Sequence, residues 1–151
     1  MNDIVVVDAN VFVSLFDETD VWHNVTNQII TECEKRNIRF VILDCIVDET
    51  VSVLIRRLQN KKKLGQLNLY LKRLSEYIHP QEIRSTSSTL TANFDKILAL
   101  ISESNGALSF TDALIVFFLQ EKNITRLLSF DSDFDFITTI QRISSPQQLR
   151  E

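Results

Sequence analysis

Acidic residues at four places in this chain lie where apolar stretches end or helices begin, and this placement predicts metal chemistry. Each lies in a short apolar frame: Asp8, Glu49, Asp112, and Asp131 with Asp133. Burying a carboxylate in apolar surroundings is costly unless a partner neutralises its charge. If these carboxylates converge they repel one another, and hard divalent cations are their natural neutralising partners. The pattern therefore points to metal-dependent phosphoryl chemistry.

The elements that must position these residues alternate along the chain between strands and helices. The hydrophobic pattern predicts strands at residues 4–7, 39–43, 125–130 and 140–143. It predicts helices at residues 11–16, 21–35, 46–58, 67–74, 88–104 and 108–122. This alternation favours an α/β fold, a three-layer α/β/α sandwich with a mostly parallel central sheet. Ligands gather at the carboxyl ends of such strands, where Asp8 and Asp131 are expected.

Breaks between the helices are marked by glycine and proline. Gly65 is expected to break a helical hairpin, and Asn105-Gly106 is expected to end the helix of residues 88–104. Pro80 makes residues 77–84 a loop or a short strand.

The bulk composition is that of an ordinary globular protein. The chain has 151 residues, of which 44% are hydrophobic and 24% are charged, so we expect residues 1–151 to form one domain. Its apolar runs fall short of the roughly 20 residues of a membrane span, and Met1-Asn2-Asp3 lacks the basic region of a signal peptide, so a cytoplasmic location and no membrane partner are expected. Cys33 and Cys45 form no zinc spacing, and we expect reduced core thiols.

The net charge of −4 argues against a nucleic-acid partner, but the charge is unevenly distributed. Residues 56–73 contain no acid and carry Arg56, Arg57, Lys61, Lys62, Lys63, Lys72 and Arg73. Such a stretch is either a docking surface for a polyanion or a solvated helical surface.

Local patterns leave structural roles open for two of the acids. Asp8 or Asn10 could cap the helix that follows them, and Asn10 is well placed to do so, which leaves Asp8 free. Ser109 and Asp112 have the spacing of a capping box, yet Asp112 in the first helical turn is also placed to face a strand-end site.

In two other segments, local pattern does not show which acid belongs to the site. A helical wheel does not decide between Asp48 and Glu49, and Asp44 is a third candidate because it directly follows a strand. Three acids alternate near the end of the chain and cannot all point to one centre: Asp131, Asp133 and Asp135.

Taken together in order, these segments resemble the PIN domain family of ribonucleases. The residues that carry the resemblance are Asp8-Ala9-Asn10, Glu49, Ser109-Phe110-Thr111-Asp112-Ala113 and Ser129-Phe130-Asp131-Ser132-Asp133-Phe134. They span essentially the whole chain. One departure is Ser129 at a position where the family usually has threonine, a change that keeps the hydroxyl.

The resemblance implies a catalytic metal site. It selects Glu49 over Asp48 and Asp44. It implies that one or two Mg²⁺ or Mn²⁺ ions are held by Asp8, Glu49, Asp112 and Asp131, with Asp133 auxiliary.

The resemblance also implies supporting roles for polar and basic residues. Asn10 is expected to orient Asp8 or a metal-bound water, and Ser109 or Ser129 to contact substrate or such waters. An RNA phosphate backbone would dock on the basic stretch, where three lysines are the candidates: Lys61, Lys62 and Lys63. His23, His79 and Trp22 lie outside the motifs, and Trp22 is expected to pack rather than to stack on a base.

The function implied is a Mg²⁺- or Mn²⁺-dependent endoribonuclease that hydrolyses RNA phosphodiester bonds. Stand-alone PIN domains of this length look most like VapC-type toxins, which implies a cognate antitoxin partner and a homodimer. The alternatives are a PIN-domain RNA-processing factor and a non-catalytic scaffold that binds RNA or protein. An aspartyl-phosphate phosphatase is disfavoured because Asn10 replaces the second aspartate that such enzymes use as general acid.

Overall fold

Five short strands form one parallel sheet in the computed structural model, which describes residues 3–150. The strands are β1 (Ile4–Val7), β2 (Arg39–Leu43), β3 (Ile83–Arg84), β4 (Arg126–Leu128) and β5 (Gln141–Ile143). Their order across the sheet is β3-β2-β1-β4-β5, and every neighbouring pair runs parallel. The continuous β-branched run of β1 therefore lies at the centre of the sheet, where both of its faces are covered.

Within the same described residues, six α-helices connect the strands. They are α1 (Ala9–Phe16), α2 (His23–Lys35), α3 (Asp44–Asn60), α4 (Leu67–Tyr77), α5 (Ser87–Glu103) and α6 (Phe110–Glu121). Short 3₁₀ helices occur at Leu64–Gln66, Pro80–Glu82, Ser132–Phe136 and Pro146–Leu149.

The direction of chain travel across the sheet reverses beside β1. From β1 the chain moves outward through α1–α4 to β2 and β3, and it returns through α5 and α6 to β4 on the other side of β1. Because such crossovers are right-handed, opposite directions of travel place the helices on opposite faces of the sheet. The three-layer α/β/α sandwich is thus confirmed, and its ligand-binding crevice is expected where β1 and β4 end side by side.

The core is centred on the two strands that meet at this reversal. Val5, Val6, Leu127 and Leu128 are all completely buried. Helix α6 is apolar on nearly every side and packs into the same core, so the polar residues at its start lie at the edge of a rigid element.

The turn after α3 differs from the expectation. Lys62, with φ of 55°, makes the left-handed turn, whereas Gly65 lies within the following 3₁₀ helix. The sequence pattern pointed to the glycine because a lysine rarely adopts a positive φ. The end of α5 is as predicted, since Asn105 and Gly106 both have positive φ.

Two further expectations concern composition. Cys33 is buried and Cys45 is half-buried, and both are free thiols, as predicted. Among residues 3–150, no helix combines the length and the apolar character that crossing a membrane would require.

Candidate active site

Asp8 lies where β1 ends and α1 begins. Its backbone N–H continues the sheet by donating to the Leu128 carbonyl oxygen at 2.9 Å, which places Asp8 beside Ser129. Asp8 Oδ1 accepts a hydrogen bond from the Ala9 N–H at 2.7 Å, and Oδ2 accepts one from Ser129 Oγ at 2.6 Å. Asp8 is only 4% exposed, so this carboxylate is buried with its orientation determined by both oxygens.

Asn10 links α1 to the segment that follows β4. Its Nδ2 donates to Asp8 Oδ2 at 3.1 Å and to Ser129 Oγ at 3.2 Å, and its Oδ1 accepts from the Phe130 N–H at 3.1 Å. The hydrogen bond expected between Asn10 and Asp8 is therefore present. The expectation that Asn10 caps α1 is wrong, because Asp8 occupies the N-cap position and Asn10 lies inside the helix.

Asp112 enters the site from the first turn of α6. The capping box is formed: Ser109 Oγ accepts from the Asp112 N–H at 3.1 Å, and Asp112 Oδ2 accepts from the Ser109 N–H at 2.8 Å. Asp112 Oδ1 has no hydrogen-bond partner among residues 3–150. The cap thus holds one oxygen of the carboxylate and leaves the other available to a ligand.

Glu49 projects from α3 into the same region. Its Oε2 atom is buried and has no hydrogen-bond partner within the described residues. Asp48 is exposed, and Asp44 is occupied by Thr86, whose hydroxyl and N–H donate to it at 2.7 and 3.1 Å. Of these three acids, Glu49 is the one that lines the site.

Asp131 begins the 3₁₀ helix that follows β4. Its Oδ1 accepts from the Asp133 N–H at 2.9 Å, and its side chain lines the site. The Asp133 side chain is exposed and is not brought to the site, because this tight turn directs it outward. Asp135 is paired with Arg142, at 2.8 and 2.9 Å.

These side chains surround one cleft of about 220 Å³ at the carboxyl edge of the sheet. Its lining residues are Asp8, Ala9, Asn10, Val13, Glu49, Val53, Arg57, Ser109, Asp112 and Asp131. The four acids of this lining come from positions far apart in the chain, and the fold brings them to one cleft.

The electrostatics of the cleft are those of a crowded acidic cluster. Burial raises the pKa of Asp8 to about 7; the Ser129 hydrogen bond opposes this rise, and the nearby charges of Asp112 and Glu49 add to it. Burial, followed by repulsion from Asp112, also raises the pKa of Glu49. The positive charge of Arg56 opposes the rise at Glu49 without cancelling it, so the ionised form of the cluster is only partly stabilised.

The donor set fits a hard divalent cation. All the donors are carboxylate oxygens, and the buried Glu49 Oε2 has no hydrogen-bond partner in the described part of the chain. Within residues 3–150, no three acidic, histidine or cysteine side chains lie close enough together to hold a metal ion as they stand, so the carboxylates would have to move closer together around a bound ion. An open acidic cleft suits Mg²⁺, which retains several waters and takes few ligands directly from protein.

The three candidate lysines lie outside the cleft, immediately after α3. Lys61 Nζ donates to Thr19 Oγ1 at 2.9 Å and lies 3.8 Å from Asp17 Oδ2. Lys62 and Lys63 are exposed and form no ion pair within the described part of the chain.

Other basic side chains of this stretch are paired with acids of the loop between α1 and α2. Arg57 Nη1 contacts Asp17 Oδ2 at 3.2 Å and Asp20 Oδ2 at 2.6 Å, and Arg73 Nη2 lies 3.3 Å from Glu18 Oε1. The basic stretch is therefore partly neutralised by residues that are distant in sequence.

Sequence reasoning did not single out Arg57 as a cleft residue. A signal for it exists, because Glu49, Val53 and Arg57 follow one another at intervals of four residues and so share a face of α3. Trp22 stacks on Phe130, with ring centroids 4.6 Å apart, and is still 42% exposed, so it packs on one neighbour without being buried.

The fold and the acidic cleft are those of a nuclease domain, and comparison with known proteins agrees. The family model described as PIN domain matches residues 5–138. The chain therefore belongs to the PIN domain family, a family of ribonucleases, as the sequence motifs indicated.

A solved structure shares this fold. The crystal structure of Mycobacterium tuberculosis VapC20, described as a sarcin-ricin loop cleaving toxin, superposes with a TM-score of 0.61. The two sequences are 18% identical, and the match covers 87% of this chain and 93% of that one. A search of curated protein sequences gave no significant match.

Proposed function

We propose that this protein is a divalent-metal-dependent endoribonuclease that hydrolyses RNA phosphodiester bonds. The observation that carries the proposal is the convergence of Asp8, Glu49 and Asp112 on one cleft, with the buried Glu49 Oε2 left without a partner. Asp131 lines the same cleft and completes the set. Membership of the PIN domain family supports the reaction class.

Asp8, Glu49, Asp112 and Asp131 are the residues that would hold Mg²⁺ or Mn²⁺. When bound, such an ion supplies an acidified water as nucleophile and stabilises charge on the phosphate oxygens. Asp133, which the resemblance added as an auxiliary ligand, would have to rearrange to reach the cleft.

The remaining polar residues of the site act on the carboxylates. Asn10 and Ser129 both donate to Asp8 Oδ2 and so hold that carboxylate in one orientation. The Ser109 cap holds Asp112 in the first turn of α6, and the Ser109 hydroxyl at the cleft wall is also placed to meet substrate. This mechanism needs no protein nucleophile.

Cleavage assays with purified wild-type protein and Asp112→Asn test the proposal. The conditions are Mg²⁺, Mn²⁺ or EDTA, and the substrates are transfer RNA, ribosomal RNA and an isolated sarcin–ricin loop. We expect metal-dependent cutting by the wild type and a loss of at least about a hundredfold in the variant, as is typical when a charge-stabilising group is removed. Full turnover by Asp112→Asn would contradict the assignment.

We further propose that the protein is a toxin of a toxin–antitoxin pair. The support is its length together with the likeness to VapC20 over nearly the whole of both chains. Expression of the wild type should arrest growth, expression of Asp112→Asn should not, and an adjacent small gene should encode an antitoxin that relieves the arrest. Unimpaired growth with active enzyme present would instead favour an RNA-processing factor.

The same proposal includes a cytoplasmic homodimer. Light scattering after size-exclusion chromatography measures the mass directly, with 17.5 kDa expected for a monomer and twice that for the dimer.

A further inference from the structure

The loop between α1 and α2 places a cation beside the acidic cleft. Arg57 lines the cleft, and its Nη1 contacts Asp17 Oδ2 at 3.2 Å and Asp20 Oδ2 at 2.6 Å. Its Nε and Nη2 atoms have no hydrogen-bond partner within residues 3–150, and the side chain is 40% exposed. One edge of the guanidinium is therefore held by the loop, and the other donors remain available.

The same loop carries an aromatic residue, Trp22, which shares the Asp20 carboxylate with this cation. The backbone N–H of Trp22 donates to Asp20 Oδ1 at 2.8 Å, so the two oxygens of one carboxylate bind the Trp22 backbone and the Arg57 side chain. The Trp22 indole stacks on Phe130 with an interplanar angle of 5°. Because Phe130 covers one face and Trp22 is still 42% exposed, the other face of the indole is open.

The Trp22–Phe130 stack is anchored to the catalytic segment. Phe130 lies between Ser129 and Asp131, and its N–H is held by Asn10. The stacked pair is thus positioned by the same residues that orient the acidic cleft.

We propose that Trp22 and Arg57 form a nucleotide-binding subsite beside the acidic cleft, in which the indole stacks on an unpaired RNA base and the guanidinium contacts a neighbouring phosphate. This inference rests on the proposed ribonuclease function and adds a substrate class to it. Arginine binds phosphate through parallel N–H donors, and aromatic rings bind exposed bases regardless of sequence. Because only unstacked bases offer a free face, the subsite selects single-stranded or looped RNA over duplex.

Asp20 acts as the positioning residue of the subsite. Asp20 binds the Arg57 guanidinium through Oδ2 and the Trp22 backbone N–H through Oδ1. This ion pair also explains why Arg57, which faces the acids of the cleft, does not pair with them instead. An arginine that served only to fasten α3 to the loop would account for the ion pairs but not for the exposed Trp22 indole, which stacks on Phe130 of the catalytic segment.

The chain offers a direct reporter, because Trp22 is its single tryptophan. Indole emission is measured in the Asp112→Asn background with Mg²⁺, so that RNA stays uncut. The probes are a short single-stranded RNA of mixed sequence, an abasic oligomer of equal length and charge, and a duplex of the same sequence. We expect the single strand to quench the emission and the other two to leave it nearly unchanged.

Variants in the same background separate the two contacts. Measured by anisotropy of labelled RNA, Trp22→Leu should bind about tenfold more weakly, whereas Trp22→Phe should retain most of the affinity. Arg57→Gln should lower the slope of log affinity against log salt by about 0.7, the value for one phosphate contact on a single strand. Lys35→Gln removes the same charge from the last turn of α2, at the opposite edge of the sheet, and should change neither quantity.

The outcomes distinguish this inference from the proposed function. RNA that binds without altering indole emission, or that binds Trp22→Leu and Trp22→Phe as tightly as the parent, would overturn the subsite. Metal-dependent cleavage by the wild type would leave the ribonuclease proposal intact in that case. A wild-type protein that neither binds nor cleaves RNA would overturn both.

Discussion

At the level of single residues, opposing effects act on the protonation state of Asp8. Burial favours its protonated form, while donors from Ala9, Asn10 and Ser129 favour the carboxylate. A cation bound in the cleft would shift this balance to the ionised carboxylate. In the metal-free protein, the ionised form of the Asp8 carboxylate is therefore expected to be destabilised.

The pH dependence of stability follows from this burial. The pKa of Asp8 is raised from 3.8 to about 7, so the folded chain holds a proton that the unfolded chain releases over this range. The contribution of Asp8 is thus greatest at low pH, and the free energy of unfolding should fall as the pH rises from about 5 to 7. Urea unfolding in EDTA measures this decline.

Two comparisons control the pH experiment. Asp112→Asn removes a charge that raises the pKa of Asp8, so its decline should be shallower, and at pH 8 it should be more stable than the wild type by about 1 kcal/mol. Adding Mg²⁺ should restore stability to the wild type above pH 7. Stability that rises with pH in EDTA would contradict the buried-charge account.

Ser129 provides a second prediction at this scale. Ser129→Ala removes the 2.6 Å donor from Asp8 Oδ2, which should cost about 1 kcal/mol of stability and raise the pKa of Asp8 further. Mn²⁺ affinity at pH 7, measured by calorimetry, should therefore weaken severalfold and recover at higher pH. Ser129→Thr keeps the hydroxyl and should bind Mn²⁺ like the wild type; an equal loss in both variants would point to packing instead.

At the level of elements, three of the site acids lie at helix starts. Asp8 caps α1, Asp112 lies in the first turn of α6, and Asp131 begins a 3₁₀ helix. Unpaired N–H groups at helix starts favour negative charge, so capping and metal binding draw on the same residue types. The capping role and the ligand role of Asp112 are therefore compatible.

These elements show how far the sequence could be used for prediction. Local spacing was enough to predict the alternation of strands and helices, the capping box and the acids at strand ends. The choice between Asp8 and Asn10 as the cap was not, because it depends on Ser129 and Phe130, which are about 120 residues away in the chain. A helical wheel likewise could not choose Glu49 over Asp48, because both lie off the apolar stripe of α3. Asp44 is set apart from them only by its contact with Thr86, 42 residues away.

The start of α6 provides a prediction for an element. Ser109→Ala removes the acceptor for the Asp112 N–H and should destabilise the protein by about 1 kcal/mol, the usual cost of a lost N-cap. The Asp112 carboxylate keeps its bond to the Ser109 backbone, so cleavage at saturating Mg²⁺ should fall less than tenfold. A loss as large as that of Asp112→Asn would show that the Ser109 hydroxyl itself takes part in the reaction.

At the level of the whole molecule, the charge is organised by contacts between distant segments. The stretch of residues 56–73 is free of acids in sequence, yet Asp17, Glu18 and Asp20 neutralise part of it in the fold. Composition could not reveal this pairing. Lys62 and Lys63 remain exposed without such partners among residues 3–150, which makes them the stronger candidates for an RNA-docking role than Lys61.

Charge reversal tests this arrangement. Lys62→Glu combined with Lys63→Glu should weaken RNA binding by at least tenfold at low salt and lower its salt dependence, because contacts to phosphates release counterions. Mn²⁺ affinity should stay unchanged, since neither side chain lines the cleft. The control is Lys35→Glu combined with Lys122→Glu, which makes the same charge change away from the cleft. If both pairs weaken RNA binding equally, net charge alone accounts for the effect.

The pairing of β1 with β4 also determines when the protein becomes active. Val7 is in register with Leu128, and the donor to Asp8 comes from a residue 121 positions later. A nascent chain therefore has no assembled cleft until the segment of residues 128–131 has emerged and paired with β1. A fragment that ends before this segment lacks the Ser129 donor and the Asp131 carboxylate, and is expected to be inactive under the proposed ribonuclease function.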